Sequence, residues 1–188
     1  MDAQITEQWV KIAVLGDGGV GKTALCQRLT EDKFEEQSLE MTIGANVYKH
    51  ELENQLFKGF FIFDLGGQDA KTAPETTSDV FVRGSSALLL LYDITSIFSF
   101  MSLTEDWLPF IAKHVPSIPI ILVGNKHDIS EYEEVPINLV KAFISENRGK
   151  FNIGPHLRVS AKTGEYIPKL VLKIIEIIVL YQRLGISD

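Results

Sequence analysis

Two apolar runs, Ala87–Tyr92 and Ile118–Val123, most strongly constrain the fold of this 188-residue chain. Apolar runs without polar alternation are typical of strands buried on both faces, as in parallel sheets covered by helices. Such runs alternate with helix-like segments almost from end to end. We therefore expect one α/β domain over residues 1–188, with a mainly parallel sheet of about six strands and helices on both faces.

Hydrophobic periodicity and turn residues place the individual elements. Two of the strands are separated by a short turn, which predicts an antiparallel hairpin. Right-handed crossovers between the parallel strands would bring their carboxyl-end loops to one edge of the sheet. The predicted strands are Val10–Leu15, Ala45–Leu52, Phe57–Phe63, Ala87–Tyr92, Ile118–Val123 and His156–Val159, and the predicted helices are Lys22–Glu31, Phe98–His114, Ile137–Asn147 and Ile167–Tyr181.

The net charge and the cysteine content limit the possible binding partners and the cellular compartment. The net charge of -7 argues against a nucleic-acid partner, because phosphate backbones need clustered Lys and Arg. Cys26 is the only cysteine, which favours a reducing, cytoplasmic location. The chain has Asp2 where myristoylation needs glycine and no cysteine near Asp188. We therefore expect no lipidation motif, and any membrane association would be peripheral and through partners.

The stretch Gly16–Thr23, GDGGVGKT, fits the phosphate-binding-loop pattern and stands between a predicted strand and a predicted helix. Small residues let the backbone wrap closely around phosphates, and the N–H groups at the start of the helix attract the anion. Lys22 would place its charge on the outer phosphates, and the Thr23 hydroxyl would be a magnesium ligand. The loop by itself predicts a bound nucleoside triphosphate.

Asp64–Gln68, DLGGQ, closes the predicted strand that contains Phe63. A carboxylate at this strand end would lie beside the phosphate-binding loop and hold magnesium through a water. Gly67 would let a backbone N–H approach the terminal phosphate, since it has no Cβ. Gln68 can both donate and accept a hydrogen bond, so it could orient an attacking water.

Asn125–Asp128, NKHD, follows a buried strand and predicts the base that is bound. The two oxygens of Asp128 can accept from both N–H donors on one edge of guanine, whereas adenine presents an acceptor there. Lys126 can lay its stem along the base, and Asn125 can tie neighbouring loops together. These residues favour guanine; an ATPase is the less favoured alternative.

These stretches, with Thr42-Ile43-Gly44 and Ser160-Ala161-Lys162, occur in the order and spacing of the Ras superfamily of small GTPases, which the chain resembles from about Trp9 to Tyr181. The resemblance implies a P-loop G domain that binds GTP or GDP with magnesium and acts in signal transduction or vesicle trafficking. It also implies an exchange factor, an activating protein and effectors, which would bind through loops 34–44 and 66–82. The residues that it places on the phosphates are Gly16, Asp17, Gly18, Gly19, Val20, Gly21, Lys22, Thr23 and Ala24.

The resemblance assigns further roles, residue by residue. Thr42 would join magnesium and sense the terminal phosphate, and Phe34 would lie against the guanine. In the motif Ser160-Ala161-Lys162, Ala161 would donate its N–H to the guanine carbonyl and Lys162 would pack near the base and ribose. The implied catalytic residues are Gln68, Lys22, Thr42 and Gly67, and the implied metal ligands are Thr23, Thr42 and Asp64.

The chain departs from the Rab and Ras pattern in two places that bear on activity. Asp64-Leu65-Gly66-Gly67-Gln68 is more similar to the Arf branch or to the septation and mitotic-exit GTPases, and no tyrosine lies between Phe34 and Thr42. Gln68, Thr42 and Gly67 are nevertheless present, so we expect a guanine-nucleotide switch that hydrolyses GTP, slowly without an activating protein. The alternative is a nucleotide-locked scaffold of the same fold with negligible hydrolysis.

Overall fold

The computed structural model of the protein describes residues 8–30, 39–41, 45–52, 57–65 and 81–185, with the backbone alone at 39–41 and 45. The chain forms a sheet in the order β2-β3-β4-β1-β5-β6-β7. Strands β4, β1, β5, β6 and β7 are parallel, and β2 and β3 are antiparallel additions at one edge. The strands are β1 Trp9–Leu15, β2 Leu39–Met41, β3 Ala45–Glu51, β4 Gly59–Leu65, β5 Ala87–Asp93, β6 Ile120–Asn125 and β7 Ile153–Arg158.

Helices cover both faces of the sheet, and each face has its own apolar core. Helices α1 and α5 bury one face, and the segment from α2 to α4 buries the other. Every residue of β5 is buried, as the apolar run Ala87–Tyr92 predicts for all but its last residue, Asp93. The helices are α1 Lys22–Thr30, α2 Ile97–Ser102, α3 Leu108–His114, α4 Ile137–Asn147 and α5 Ile167–Arg183, with a π-helical turn over Leu103–Trp107 and a 3₁₀ helix over His127–Tyr132.

The predicted α/β architecture, with a mainly parallel sheet and helices on both faces, is confirmed. The predicted hairpin is the antiparallel pair β3–β4, whose connecting turn lies outside the described residues. The sheet also contains β2, a three-residue edge strand too short to give a hydrophobic pattern. Strand β7 begins at Ile153, three residues before the predicted start at His156. The sequence pattern missed these residues because Gly154 and Pro155 have low strand propensity.

Helix α2, the π turn and helix α3 follow one another without a break, and we call them together the 97–114 helix. Their junction residues Ser102, Leu103, Trp107 and Leu108 all have right-handed helical backbone angles. In the π turn the Leu108 N–H donates to the Leu103 carbonyl, five residues back. Pro109 lacks an N–H and would crowd the carbonyl four residues before it, so a wider preceding turn relieves that clash.

The C-terminal helix α5 packs on the core through one face, as its periodicity predicts. Leu170 and Ile174 are fully buried, whereas Leu172 and Leu180 are more than half exposed. None of the helices in the described part of the chain is both long enough and apolar enough to span a bilayer.

Candidate functional site

The site lies at the carboxyl edge of the sheet, where five strand ends each deliver one polar residue or loop. β1 ends at Leu15, directly before the phosphate-binding loop, and β4 carries Asp64 beside it. Asp93 ends β5, Asn125 ends β6, and Ser160 follows β7. Because these strands are parallel neighbours, segments more than 100 residues apart in sequence meet at one edge.

Two glycines of the phosphate-binding loop have backbone angles and neighbours that exclude a side chain. Gly16 has a φ of 143°, and a Cβ there would lie 2.4 Å from the Leu91 carbonyl oxygen. Gly21 has a φ of 92°, and its Cβ would lie 2.4 Å from Asn125 Nδ2. The loop therefore packs against the ends of β5 and β6 at a distance that only glycine permits.

Lys22 opens helix α1 and turns its side chain back over the loop. Its Nζ donates to the Gly16 and Asp17 carbonyl oxygens, each at 2.9 Å, and the residue is 6% exposed. A cation is thus held within the curve of the loop, at the start of helix α1. This arrangement suits the outer phosphates of a nucleotide.

Thr23 and Asp64 form a pair beside that cation. The Thr23 hydroxyl donates to Asp64 Oδ2 at 2.5 Å, while Asp64 Oδ1 is buried without a hydrogen-bond partner. Burial raises the pKa of the Asp64 carboxyl, and the Thr23 hydrogen bond and the Lys22 charge oppose that rise. A hydroxyl, an orphaned buried carboxylate oxygen and nearby phosphates are the oxygen donors that Mg²⁺ prefers, so the residues fit the ion.

Asp128 lies at the opposite end of the site, held by the loop after β7. The Ser160 hydroxyl donates to Asp128 Oδ1 at 2.6 Å, and Lys162 Nζ lies 3.9 Å from Oδ2. The Thr163 N–H in turn donates to the Ser160 hydroxyl at 3.0 Å. The carboxylate is therefore fixed in orientation and keeps acceptor capacity for two donors on one edge of a base.

Asn125 connects the two ends of the site. Its Nδ2 donates to the Val20 carbonyl at 2.9 Å, and its Oδ1 accepts from the Ala161 N–H at 3.0 Å. One buried side chain thus ties the phosphate-binding loop to the loop after β7. In the structure the Ala161 N–H donates to Asn125. The donation of this N–H to a guanine carbonyl stays a prediction.

The structure adds two contacts that the sequence patterns did not single out. Lys126 has a left-handed φ of 69°, and its Nζ lies 2.6 Å from Asp93 Oδ2. Arg28 donates from α1 to the Ala161 and Lys162 carbonyls, at 3.0 and 2.9 Å. The position of Asp93 at the end of a buried strand was an available signal, whereas nothing in the sequence around Arg28 marks its contact.

A third unpredicted contact involves Asp17 of the phosphate-binding loop. Its carboxylate accepts from the Ser102 hydroxyl and from Trp107 Nε1. Trp107 is buried in the core and is also hydrogen-bonded to the loop.

Several predicted site residues contribute little structural detail or none. Gly18, Gly19 and Ala24 are exposed along the loop and the first turn of α1. The predicted residues Phe34, Thr42, Gly67 and Gln68 lie outside the described residues, and so do almost all of the predicted partner loops 34–44 and 66–82. The roles of these residues rest on the sequence.

The fold and the site define a P-loop nucleotide-binding protein of the α/β class. The Ras family model matches residues 11–180. The chain is 31% identical over 173 residues to the Ras-related protein Rab-28 of Caenorhabditis elegans, covering 89% of this chain and 66% of that protein, just under two thirds. It is 32% identical over 168 residues to Rab-22A of Mus musculus (88% and 81% covered). It is 34% identical over 183 residues to RABE1e of Arabidopsis thaliana (95% and 78% covered).

The chain belongs to the Ras family. It is a small GTPase similar to the Rab branches, which confirms the prediction made from its five sequence motifs. In general terms it is therefore a GTP-binding switch of the GTPase class.

Proposed function

We propose that this protein is a magnesium-dependent guanine-nucleotide switch, a single G domain over residues 1–188, that hydrolyses GTP slowly to GDP. The observation that carries the proposal is the pairing of Thr23 with Asp64, whose second carboxylate oxygen is buried and unpartnered beside Lys22. Asp128, held by Ser160, supports guanine as the base. Mg²⁺, when bound, would neutralise phosphate charge, and the residues that would hold it are Thr23, Thr42 and Asp64.

The chemistry of such a site is positioning and charge stabilisation. Lys22 and the loop N–H groups would hold the phosphates, and Gln68 would orient the attacking water. Loss of the terminal phosphate would release Thr42 and Gly67 and so loosen loops 34–44 and 66–82. Exchange factors, activating proteins and effectors would recognise these loops. We place this activity in the cytoplasm and in vesicle trafficking, with peripheral membrane association through partners.

We expect the purified protein to release phosphate from GTP at a rate on the order of 10⁻⁴ s⁻¹ without an activator. The variant Gln68→Leu should be roughly ten- to a hundredfold slower, because its side chain cannot orient the water. Single-turnover phosphate release measures both rates, and Gln182→Leu, on the exposed end of α5, is the matched control. Tight GDP and GTP binding with no turnover, even with candidate activators, would establish the nucleotide-locked scaffold instead.

We expect Asp64→Asn to reduce the ability of Mg²⁺ to retain GDP by roughly ten- to a hundredfold, as for outer ligands of metal sites. The amide can still accept from the Thr23 hydroxyl, so the substitution removes the charge and keeps that hydrogen bond. The measurement is release of a fluorescent GDP analogue with excess Mg²⁺ and with EDTA. Equal sensitivity to EDTA in the parent and the variant would show that Asp64 does not act on the metal.

A further inference from the structure

The side chain of Asp17 faces away from the curve of the phosphate-binding loop, toward the 97–114 helix. Its Oδ2 accepts from the Ser102 hydroxyl at 2.5 Å, and its Oδ1 accepts from Trp107 Nε1 at 2.9 Å. The backbone carbonyl of the same residue accepts from Lys22 Nζ at 2.9 Å. Asp17 therefore contacts the helix through its carboxylate and the phosphate-facing lysine through its backbone.

The π turn explains how both donors reach one carboxylate. Positions five apart on a regular α-helix point about 140° away from each other, because each residue turns the helix by about 100°. In a π turn the hydrogen bond closes at five residues, so Ser102 and Trp107, at either end of the turn, lie on the same side. The wide turn is thus the feature that presents a hydroxyl and an indole N–H together.

The core fixes the indole donor, and it also fixes the residue that follows Ser102. Trp107 is 1% exposed and packs edge-to-face on Phe110, with ring centroids 6.0 Å apart. Leu103, between Ser102 and Trp107, is fully buried. A hydrogen bond to a carboxylate is stronger than one between neutral groups, and water competes little for the buried indole N–H of Trp107. The loop is therefore attached to a rigid element at the residue between Gly16 and Gly18.

We propose that Asp17 is a positioning residue, which holds the phosphate-binding loop to the 97–114 helix through Ser102 and Trp107 and thereby sets how long a nucleotide is retained. The proposal rests on the proposed function, because it assigns the loop to nucleotide phosphates. It extends the phosphate site beyond the loop to a helix more than 80 residues away in the sequence.

The first test is the release rate of a fluorescent GDP analogue from Ser102→Ala and Trp107→Phe. Each substitution removes one donor to the carboxylate, and we expect roughly five- to twentyfold faster release. Trp9→Phe is the matched control, because Trp9 packs on Phe61 at the start of β1, at the opposite edge of the sheet. Its release rate should equal that of the parent.

A comparison of nucleotides separates positioning from general destabilisation. GDP reaches the phosphate-binding loop with one more phosphate than GMP, so a displaced loop should lower the affinity for GDP more than that for GMP. We therefore expect the GDP-to-GMP affinity ratio to fall in Ser102→Ala and Trp107→Phe. Equal losses for both nucleotides would overturn the proposal, since a merely structural role of the helix predicts that result.

A double-mutant cycle separates the hydrogen bond from the smaller ring that Trp107→Phe introduces. If the bond carries the effect, Trp107→Phe should add little in an Asp17→Ala background. Additive effects would mean that core packing is responsible and would contradict the proposal. In solution, Asp17→Asn should shift the indole N–H resonance of Trp107 and leave that of Trp9 in place. An unmoved Trp107 resonance would show that the bond does not form.

GDP binding by the parent protein separates failure of the proposed function from failure of the positioning role of Asp17. If the parent does not bind GDP in the release assay, the proposed function fails, whatever the variants do. If the parent binds GDP and both Ser102→Ala and Trp107→Phe release it at the parent rate, the positioning role of Asp17 fails and the nucleotide switch stands.

Discussion

Replacing Asp128 by asparagine should lower the affinity for GTP by roughly 10²–10⁴-fold and create affinity for xanthosine triphosphate. The carboxylate would accept two hydrogen bonds from guanine, and each bond to a charged group contributes about 1.5–3 kcal/mol. An amide in the same place offers one acceptor and one donor. Xanthine carries a carbonyl where guanine carries an amino group, so the amide donor would find a partner on xanthine and meet a second donor on guanine.

The geometry makes this substitution specific. Ser160 donates to Asp128 Oδ1 at 2.6 Å, and the Oδ1 of an asparagine can accept the same bond. The orientation of the side chain is then preserved while its second position changes from acceptor to donor. Competition of GTP, ATP and xanthosine triphosphate against a labelled nucleotide measures the change. Glu131→Gln, an exposed acid on the same 3₁₀ helix, is the control. An unchanged order of preference would place the base elsewhere.

Replacing Lys22 by methionine should reduce the affinity for GDP and GTP by roughly 10²–10⁴-fold, because two charge-assisted contacts to phosphates are lost. Methionine keeps most of the length and the apolar stem of the buried side chain. The Gly16 and Asp17 carbonyls lose their donor, so the unliganded protein should be melted in parallel to separate loss of binding from loss of folding.

Lys169→Met provides the matched control for the charge. Lys169 lies in the first turn of α5 and is exposed, so its removal changes the net charge equally at a distance from the loop. Isothermal titration with GDP would give the affinity of Lys22→Met and that of Lys169→Met. Equal affinity in the parent and in Lys22→Met would mean that Lys22 only supports the backbone of the loop and does not act on phosphates.

The sequence predicted the architecture because burial leaves a direct pattern. Strand β5 is apolar at nearly every position, and the helix Ile137–Asn147 has the predicted bounds. The phosphate and base motifs were predicted for a similar reason: each stands at the end of a strand, and parallel strands bring their carboxyl ends together. The local sequence is sufficient to predict a residue's position where that position follows from the strand or helix that contains it.

The contacts of Asp17 and Arg28 were not predicted, because each joins elements distant in sequence. The sequence predicted one helix over Phe98–His114. On a regular α-helix Ser102 and Trp107 would lie on different sides, and the π turn brings them together. Pro109 was the available sign of an irregular turn, but a proline does not say how the helix adjusts. The link from Arg28 to the loop after β7 depends on tertiary packing, which has no local signature.

The two hydrogen bonds of Asn125 bear on how tightly a nucleotide with two linked ends would be bound. Its side chain holds the phosphate-binding loop and the loop after β7 at a set spacing. On the proposed function, these two loops would bind the two ends of one nucleotide. A nucleotide presents guanine and phosphates as two linked ligands, so binding at one end gives the other a high effective concentration. Guanosine and pyrophosphate supplied separately gain none of that advantage. We therefore expect the retention of an intact nucleotide to depend on the spacing that Asn125 maintains as well as on the contacts at either end.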